Sequence, residues 1–116
     1  MSNLQEPSRA GAFLLSEGNG EISRASVTLA ALAVGLAAGQ LLGIVTASKQ
    51  YAAYDPAASN GTEKVAAVLY AARAESTDPQ SAVAIVRLAE VSASRLIGLD
   101  ADARADLAEK LIIVRD

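Results

Sequence analysis

Residues 25–48, ASVTLAALAVGLAAGQLLGIVTAS, decide the fold of this chain because they can be read in two incompatible ways. The stretch holds no charged residue, and its length suits a helix that crosses a membrane. Gly35, Gly39 and Gly43 recur at four-residue spacing, the small-residue pattern that lets membrane helices approach closely. Hydropathy alone therefore predicts a glycine-zipper span.

The composition within this stretch favours two strands instead. Alanine and glycine contribute little insertion energy, and Gln40 lies well inside the run. Each interior glycine also costs a helix about 1 kcal/mol relative to alanine. Residues 27–29 and 41–46 are rich in β-favouring side chains and flank a small-residue middle. We predict two strands joined by an apolar connection, with a small membrane protein as the alternative.

Towards the N-terminus the chain becomes polar. Residues 1–12 contain Pro7 and Gly11 among small side chains, and predict a flexible arm. A short apolar run at residues 13–15 follows, and then a turn in which Asn19-Gly20 tolerates positive φ. The N-terminus lacks the cationic start of a secretory signal. We expect residues 13–116 to form a single domain.

Towards the C-terminus, turns bound further apolar segments. Residues 65–72 indicate a buried strand or a short helix, and their length and flanking turns favour the strand; residues 82–91 predict the next strand. Asp100 is placed to cap a helix over residues 101–110, with Leu107 and Leu111 on one face at i, i+4 spacing, and residues 111–114 predict a terminal strand. The predicted fold class is mainly β with a minor helical part.

Composition excludes several functions. The chain of 116 residues has neither cysteine nor histidine, so it lacks thiolate metal ligands and the usual general base. Its net charge is −3, without a basic stripe, and few aromatics are available for base stacking. We therefore predict no enzyme, no cofactor, no metal, no small-molecule substrate and no nucleic-acid partner.

Possible binding motifs have simpler interpretations. Asp100, Asp102, Asp106 and Glu109 lack the glycine and spacing of a calcium loop, so a solvated helix face is the better interpretation. The glycines at residues 18–20 suggest an anion nest, but phosphate-loop spacing is missing. Tyr51 and Tyr54 are expected to be packing residues rather than catalytic phenols.

A series of short strings runs along almost the whole chain in a characteristic order. They are GAFLLSE (11–17), NG (19–20), SR (23–24), VTL (27–29), GQLLGIVT (39–46), YDPAA (54–58), NGT (60–62), AVLYAA (67–72), VAIVRLAE (83–90) and LIIVR (111–115). In this order and spacing the chain resembles the lambda-type head decoration proteins of bacteriophages.

That resemblance implies a β-clip-like virion protein with a small helical part. Such proteins form homotrimers at the three-fold positions of the expanded capsid, bind the major capsid protein on the capsid exterior, and stabilise the shell against packaged DNA; before assembly they occupy the host cytoplasm. It also implies a capsid-binding arm that orders by strand addition. The matching residues are Glu6, Pro7, Ser8, Arg9, Ala10, Gly11, Ala12, Phe13, Leu14 and Leu15.

The connection at residues 30–38 departs from the resemblance. It is more apolar than expected for an exposed loop. We expect it either to pack at the trimer axis or to lie against the capsid.

Overall fold

The computed structural model describes residues 10–18 and 22–116. Its elements confirm a mainly β fold with a minor helical part, and a short 3₁₀ turn, Ala93–Arg95, follows the seventh strand. The strands and the helix are β1 (Leu14–Glu17), β2 (Arg24–Leu29), β3 (Leu41–Ile44), β4 (Tyr51–Ala53), β5 (Ala67–Leu69), β6 (Gln80–Ile85), β7 (Ala89–Ser92), α1 (Ala101–Glu109) and β8 (Ile112–Arg115).

Five strands close into a small barrel in the order β2-β4-β3-β5-β6. The longest ladder joins β2 and β6 in antiparallel register, from Arg24 opposite Ile85 to Leu29 opposite Gln80. Along β2 the buried side chains alternate with exposed ones, as expected for a strand with one face in a core. The barrel core is lined by alanine, valine and leucine side chains: Val27, Leu29, Leu32, Leu42, Ala67, Leu69, Ala82 and Ala84.

The apolar stretch at residues 25–48 supplies β2, β3 and the connection between them. Two strands were predicted here, and both are present. No helix in the described ranges, 10–18 and 22–116, is long and apolar enough to cross a membrane. The membrane alternative is therefore not favoured.

The remaining strands form a three-stranded sheet in the order β1-β7-β8. β1 runs antiparallel to β7, whereas β7 and β8 are parallel. Helix α1 packs against β8. The core of this layer contains large side chains, including Phe13, Leu107 and Ile112.

The prediction of a single strand over residues 82–91 was wrong. β6 ends at Ile85, and β7 begins at Ala89 in the other sheet. Between them Leu88 adopts φ 53°, and its carbonyl accepts hydrogen bonds from the amide of Gly18 and the hydroxyl of Ser23. Those contacts stabilise a sharp change in the direction of the backbone, although no glycine or proline in this segment indicates a turn.

The strand predicted at residues 65–72 was too long, because only Ala67–Leu69 lies in β5. At its start, the amide of Val65 donates to the Asp106 carboxylate at 2.9 Å rather than to a neighbouring strand. After Tyr70 the chain leaves the barrel and forms an isolated bridge at Arg73.

The helix forms where it was predicted. Asp100 caps it, accepting a 2.8 Å hydrogen bond from the amide of Ala103. The expectation that Leu107 and Leu111 share a helix face was wrong. Leu107 is fully buried, whereas Leu111 lies beyond the helix at φ 60° and is 62% exposed. The terminal strand accordingly starts one residue later than predicted, at Ile112.

Candidate functional site

The predicted arm joins the domain at Gly11. The Gly11 amide donates to the carbonyl of Tyr70 at 2.8 Å, and the Gly11 carbonyl accepts from the amide of Leu14 at 2.9 Å. Gly11 has φ 70°, and a Cβ there would lie 2.8 Å from the Tyr70 ring. Only glycine fits this tight turn without strain. The turn fixes the backbone at the point where the described part of this segment begins.

Phe13 anchors the same segment in the core. Its side chain is 1% exposed, and its carbonyl accepts a 2.7 Å hydrogen bond from the amide of Ser92. Burying a phenylalanine side chain contributes roughly 1.5–3 kcal/mol. Phe13 and the strand that follows it, β1, are therefore firmly integrated into the sheet layer.

The ten predicted arm residues thus fall into distinct groups. Residues 6–9 lie outside the described residues. Ala10 and Leu15 are exposed, whereas Gly11, Ala12 and Leu14 are partly buried against the domain. We use the term root for residues 10–15, the described part of this segment.

Leu15 stands out from the root because of a β-bulge. Leu14 pairs with Val91 and Ser16 pairs with Glu90, which leaves Leu15 as the extra residue of β1. Its side chain is 56% exposed. A bulge re-aims side chains at a sheet edge, and β1 has no second strand neighbour in the described part of the chain. The root therefore presents an open strand edge and an exposed leucine together.

An ion pair fixes the far end of β1 against the barrel. Arg24 donates to both carboxylate oxygens of Glu17, through Nε at 3.0 Å and Nη2 at 2.6 Å. The guanidinium also lies over the Tyr70 ring, 4.2 Å from its centroid. The hydrogen bond from Arg24 lowers the pKa of Glu17, and the same bond raises the pKa of Arg24. Tyr70 thus links the Gly11 turn to this ion pair.

A polar chain crosses the outer face of the three-stranded sheet. The Ser16 hydroxyl donates to Glu90 at 3.1 Å, and Arg115 Nε donates to the same carboxylate at 2.8 Å. These hydrogen bonds, led by that of Arg115, lower the pKa of Glu90. The three residues lie far apart in the sequence, so no local motif could reveal their contact. Their pairing ties β1 to β8 through the central strand.

Strand directions bring two segments to the same end of this sheet. β1 starts at Leu14 opposite Val91, and Val91 is also the partner of Val114 near the end of β8. The root and residues 115–116 therefore leave the sheet at one end. A partner approaching that end would meet both.

The acidic residues of the helix have structural contacts. Asp100 accepts from the Tyr54 hydroxyl at 3.0 Å in addition to capping the helix, and burial together with that bond raises the pKa of Tyr54 to about 12. The Asp106 carboxylate accepts a hydrogen bond from the amide of Val65, and Glu109 forms an ion pair with Lys64 at 3.2 Å. In the ranges the structure describes, no cluster of three or more acidic residues could hold a metal ion.

The other candidate motifs also fall into packing roles or outside the described residues. Asn19 and Gly20 of the possible anion nest lie outside them, and the Gly18 amide already donates to Ser23 Oγ at 2.7 Å. Tyr54 is buried in the core of the sheet and helix, while Tyr51 packs against the barrel core. The prediction that both tyrosines are packing residues is confirmed.

Comparison with known proteins agrees with the resemblance in the sequence. The family model for the bacteriophage lambda head decoration protein D matches residues 3–112. A search of curated proteins finds no match. Because the family model covers almost the whole chain, including the root, the barrel and the helix, this chain belongs to the bacteriophage lambda head decoration protein D family, and its role is that of a structural protein of the phage capsid.

Proposed function

We propose that the chain binds the outer surface of the expanded phage capsid as a homotrimer at three-fold positions, and that it stabilises the shell against the pressure of packaged DNA. The observation that carries this proposal is the family match over residues 3–112. Within this proposal residues 1–12 are a flexible arm that is tied to the domain at Gly11, residues 13–116 are a single decoration domain, and the protein occupies the host cytoplasm until it joins the virion.

The root supports a role for residues 6–15 in binding the major capsid protein. Gly11 and Phe13 hold the segment firmly to the domain, so force on the arm is carried into the folded sheet. Ala10 and Leu15 are exposed beside the open edge of β1. Strand addition at a sheet edge takes its affinity from main-chain hydrogen bonds, and pockets for side chains add specificity.

Three arms acting together would make binding strong. Once one arm of a trimer is bound, the others bind at a high effective concentration. A protein that binds only the expanded lattice stabilises that state by mass action. The contribution grows with the number of occupied positions, which suits a shell under internal pressure.

Binding to capsids of the protein's own phage tests this function. Purified chain is mixed with expanded or unexpanded shells that lack it, and bound protein is measured after sedimentation. We expect saturation at three copies for each three-fold position on expanded shells only. Failure to bind expanded shells would contradict the proposal.

Proline substitution tests the arm separately. Ser8→Pro removes one amide donor, whereas the matched Ser8→Ala leaves the main chain intact. We expect Ser8→Pro to weaken capsid binding at least about tenfold, the loss of one well-made contact, with an unchanged unfolding midpoint. Equal binding by both variants would show that residue 8 adds no strand hydrogen bond.

A further inference from the structure

The loop between β4 and β5 is folded against the end of β3. The Thr46 amide, just beyond β3, donates to the carbonyl of Asn60 at 2.8 Å. The next residue, Gly61, has φ 110°, and a Cβ there would clash with the carbonyl oxygen of Ile44. This close approach requires glycine at residue 61 and fixes the backbone around it.

The Asn60 side chain is folded back over its own main chain. Its Oδ1 accepts from the Thr62 amide at 3.2 Å and from the Thr62 hydroxyl at 2.7 Å. Because a backbone amide can only donate, the first of these bonds identifies the oxygen of the carboxamide. A bond from the side chain to the main chain two residues on is an Asx turn. The carboxamide therefore lies beside the peptide bond that joins residues 60 and 61.

The N–H of that peptide bond has a carboxylate as its partner. The Gly61 amide donates to Oε1 of Glu63 at 2.7 Å. Glu63 is exposed and forms no ion pair within the part of the chain that the structure describes. A carboxylate at hydrogen-bond distance from a proton, with no cation competing for it, is placed to act as a general base.

The loop thus brings together the groups that an attack on the Asn60 carboxamide requires. The nitrogen of Gly61 is the nucleophile, and its bond to Asn60 Cγ would close a five-membered ring. The two donors of Thr62 already contact Oδ1, the atom on which negative charge develops. Thr62 is 3% exposed, so its hydroxyl is held in place away from bulk water. Asn60 itself is exposed, so water reaches the carboxamide.

We propose that Asn60 is a site of self-catalysed deamidation, with Glu63 as the general base and Thr62 as the donor that stabilises the oxyanion. Glu63 takes the proton of the Gly61 amide while the nitrogen forms a bond to Asn60 Cγ. The bond between Cγ and Nδ2 then breaks, and this nitrogen leaves as ammonia with a proton taken from solvent. Glu63 returns its own proton to solvent.

Water opens the cyclic imide that remains. Addition at Cγ gives aspartate at residue 60, whereas addition at the main-chain carbonyl gives isoaspartate, in which the main chain runs through Cβ. Each conversion consumes one water and releases one ammonia, so it needs no oxidant, reductant or cofactor. The product makes the net charge of −3 more negative by one. Neither step requires a capsid or a second copy, so the loop acquires this charge with age in the free chain as well.

Peptide mapping by mass spectrometry tests the site in the full chain. Purified protein is incubated at neutral pH, folded or in urea, and the conversion of amide to acid is followed. Trypsin places the two Asn–Gly pairs of the chain on separate peptides, residues 10–24 and 50–64. In urea the geometry of the loop is lost, and the Asn19-Gly20 pair gives the reference rate for an Asn–Gly sequence.

We expect Asn60 to convert at least about tenfold faster in the folded chain than in urea, because the reacting groups are held in position. Chromatography should resolve both aspartate and isoaspartate forms of the peptide. A folded chain in which Asn60 converts no faster than in urea would overturn the inference.

Glu63→Gln tests the base, since it removes the carboxylate and keeps an oxygen that can accept from the Gly61 amide. Conversion in the folded chain should slow at least about tenfold, and the rate in urea should not change. Glu75→Gln alters an exposed glutamate outside the loop; this matched control should convert at the native rate. A native rate in Glu63→Gln would show that this carboxylate is not the base and would overturn the mechanism.

Thr62 is tested by a pair of variants, because its side chain is buried as well as polar. Thr62→Val keeps the shape of the side chain without its hydroxyl, and should slow conversion at least about tenfold. Thr62→Ser keeps the hydroxyl and should convert at close to the native rate. Both are compared at a temperature at which thermal unfolding curves show them to be folded. Equal rates in the two variants would exclude the hydroxyl from the reaction.

Discussion

The core of the barrel and the core of the three-stranded sheet with its helix differ in their largest side chains. The barrel core is made of alanine, valine and leucine, whereas the other core also holds the aromatic rings of Phe13 and Tyr54. Small side chains let backbone segments approach closely, and large ones fill the wider space between a sheet and a helix. We therefore expect that truncating a buried side chain lowers the free energy of unfolding most in the sheet layer. Enlarging a buried residue should lower it most in the barrel.

The largest expected effect is removal of the aromatic ring in the sheet layer. Phe13→Ala should lower the free energy of unfolding by about 3–5 kcal/mol, because it creates a cavity in a fully buried site. Urea unfolding measures the change. Leu15→Ala removes an exposed side chain of β1, the strand that follows Phe13, and should change stability by less than about 0.5 kcal/mol; a comparable loss in both would contradict the anchoring role of Phe13.

The second-largest expected effect is at the hydrogen bond between Tyr54 and Asp100, which joins the barrel to the helix. Tyr54→Phe removes the hydroxyl that donates to the Asp100 carboxylate, which should cost about 1.5–3 kcal/mol for a hydrogen bond to a charged group. The raised Tyr54 pKa, about 12, means that the folded protein holds this proton more tightly than the unfolded chain. Its stabilisation is complete below pH 10 and is lost as pH rises towards 12.

Unfolding measured between pH 8 and pH 12 checks the alkaline part of this prediction. The native chain should lose stability through this window, and Tyr54→Phe should lose less over the same range. Parallel curves would show that Tyr54 does not govern the alkaline transition.

Addition of one carbon to the barrel wall should lower the free energy of unfolding by as much as Tyr54→Phe or less. A Cβ at Gly43 would lie 2.6 Å from the Cα of Thr62 and 2.8 Å from the carbonyl oxygen of Lys64. Gly43→Ala should therefore cost about 1–3 kcal/mol through overpacking. At Gly35 the nearest atom to a new Cβ is 3.2 Å away, so Gly35→Ala should lower the thermal unfolding midpoint less than Gly43→Ala does; the reverse order would contradict the overpacking argument at Gly43.

The smallest expected effect is at the ion pair between the layers. Glu17→Gln should cost at most about 1 kcal/mol, because both partners are partly exposed. Since Arg24 lowers the pKa of Glu17, the stabilisation is present above the ordinary pKa of 4.5 and disappears as pH falls through the lower folded value. Acid unfolding at low and high salt measures it. Identical acid curves for the native chain and Glu17→Gln would contradict this assignment.

Local signals in the sequence predicted much of the fold. The capping residue Asp100 and the β-favouring segments at residues 27–29 and 41–46 act through near neighbours, so they could be recognised without the structure. The break at Leu88 could not be recognised from the sequence. Leu88 has a positive φ, and its carbonyl accepts hydrogen bonds from Gly18 and Ser23, which are distant in the chain.

The site was less accessible to sequence reasoning than the fold. The root of the arm depends on Tyr70, whose carbonyl and ring both contact Gly11. The Ser16–Glu90–Arg115 chain depends on register across three strands. Neither contact leaves a periodic pattern, and only the ordered strings shared with the decoration family pointed to residues 6–15.

Closing the barrel also has a consequence for the behaviour of this protein when it is crowded. A closed barrel has no free edge, so β1 and β8 are the sheet edges left in the described part of the chain. Each is four residues long, β1 is interrupted by the bulge at Leu15, and β8 carries the charged Arg115. Short, kinked and charged edges are poor templates for fibril growth. Copies brought close together therefore offer each other few edges on which a fibril could grow.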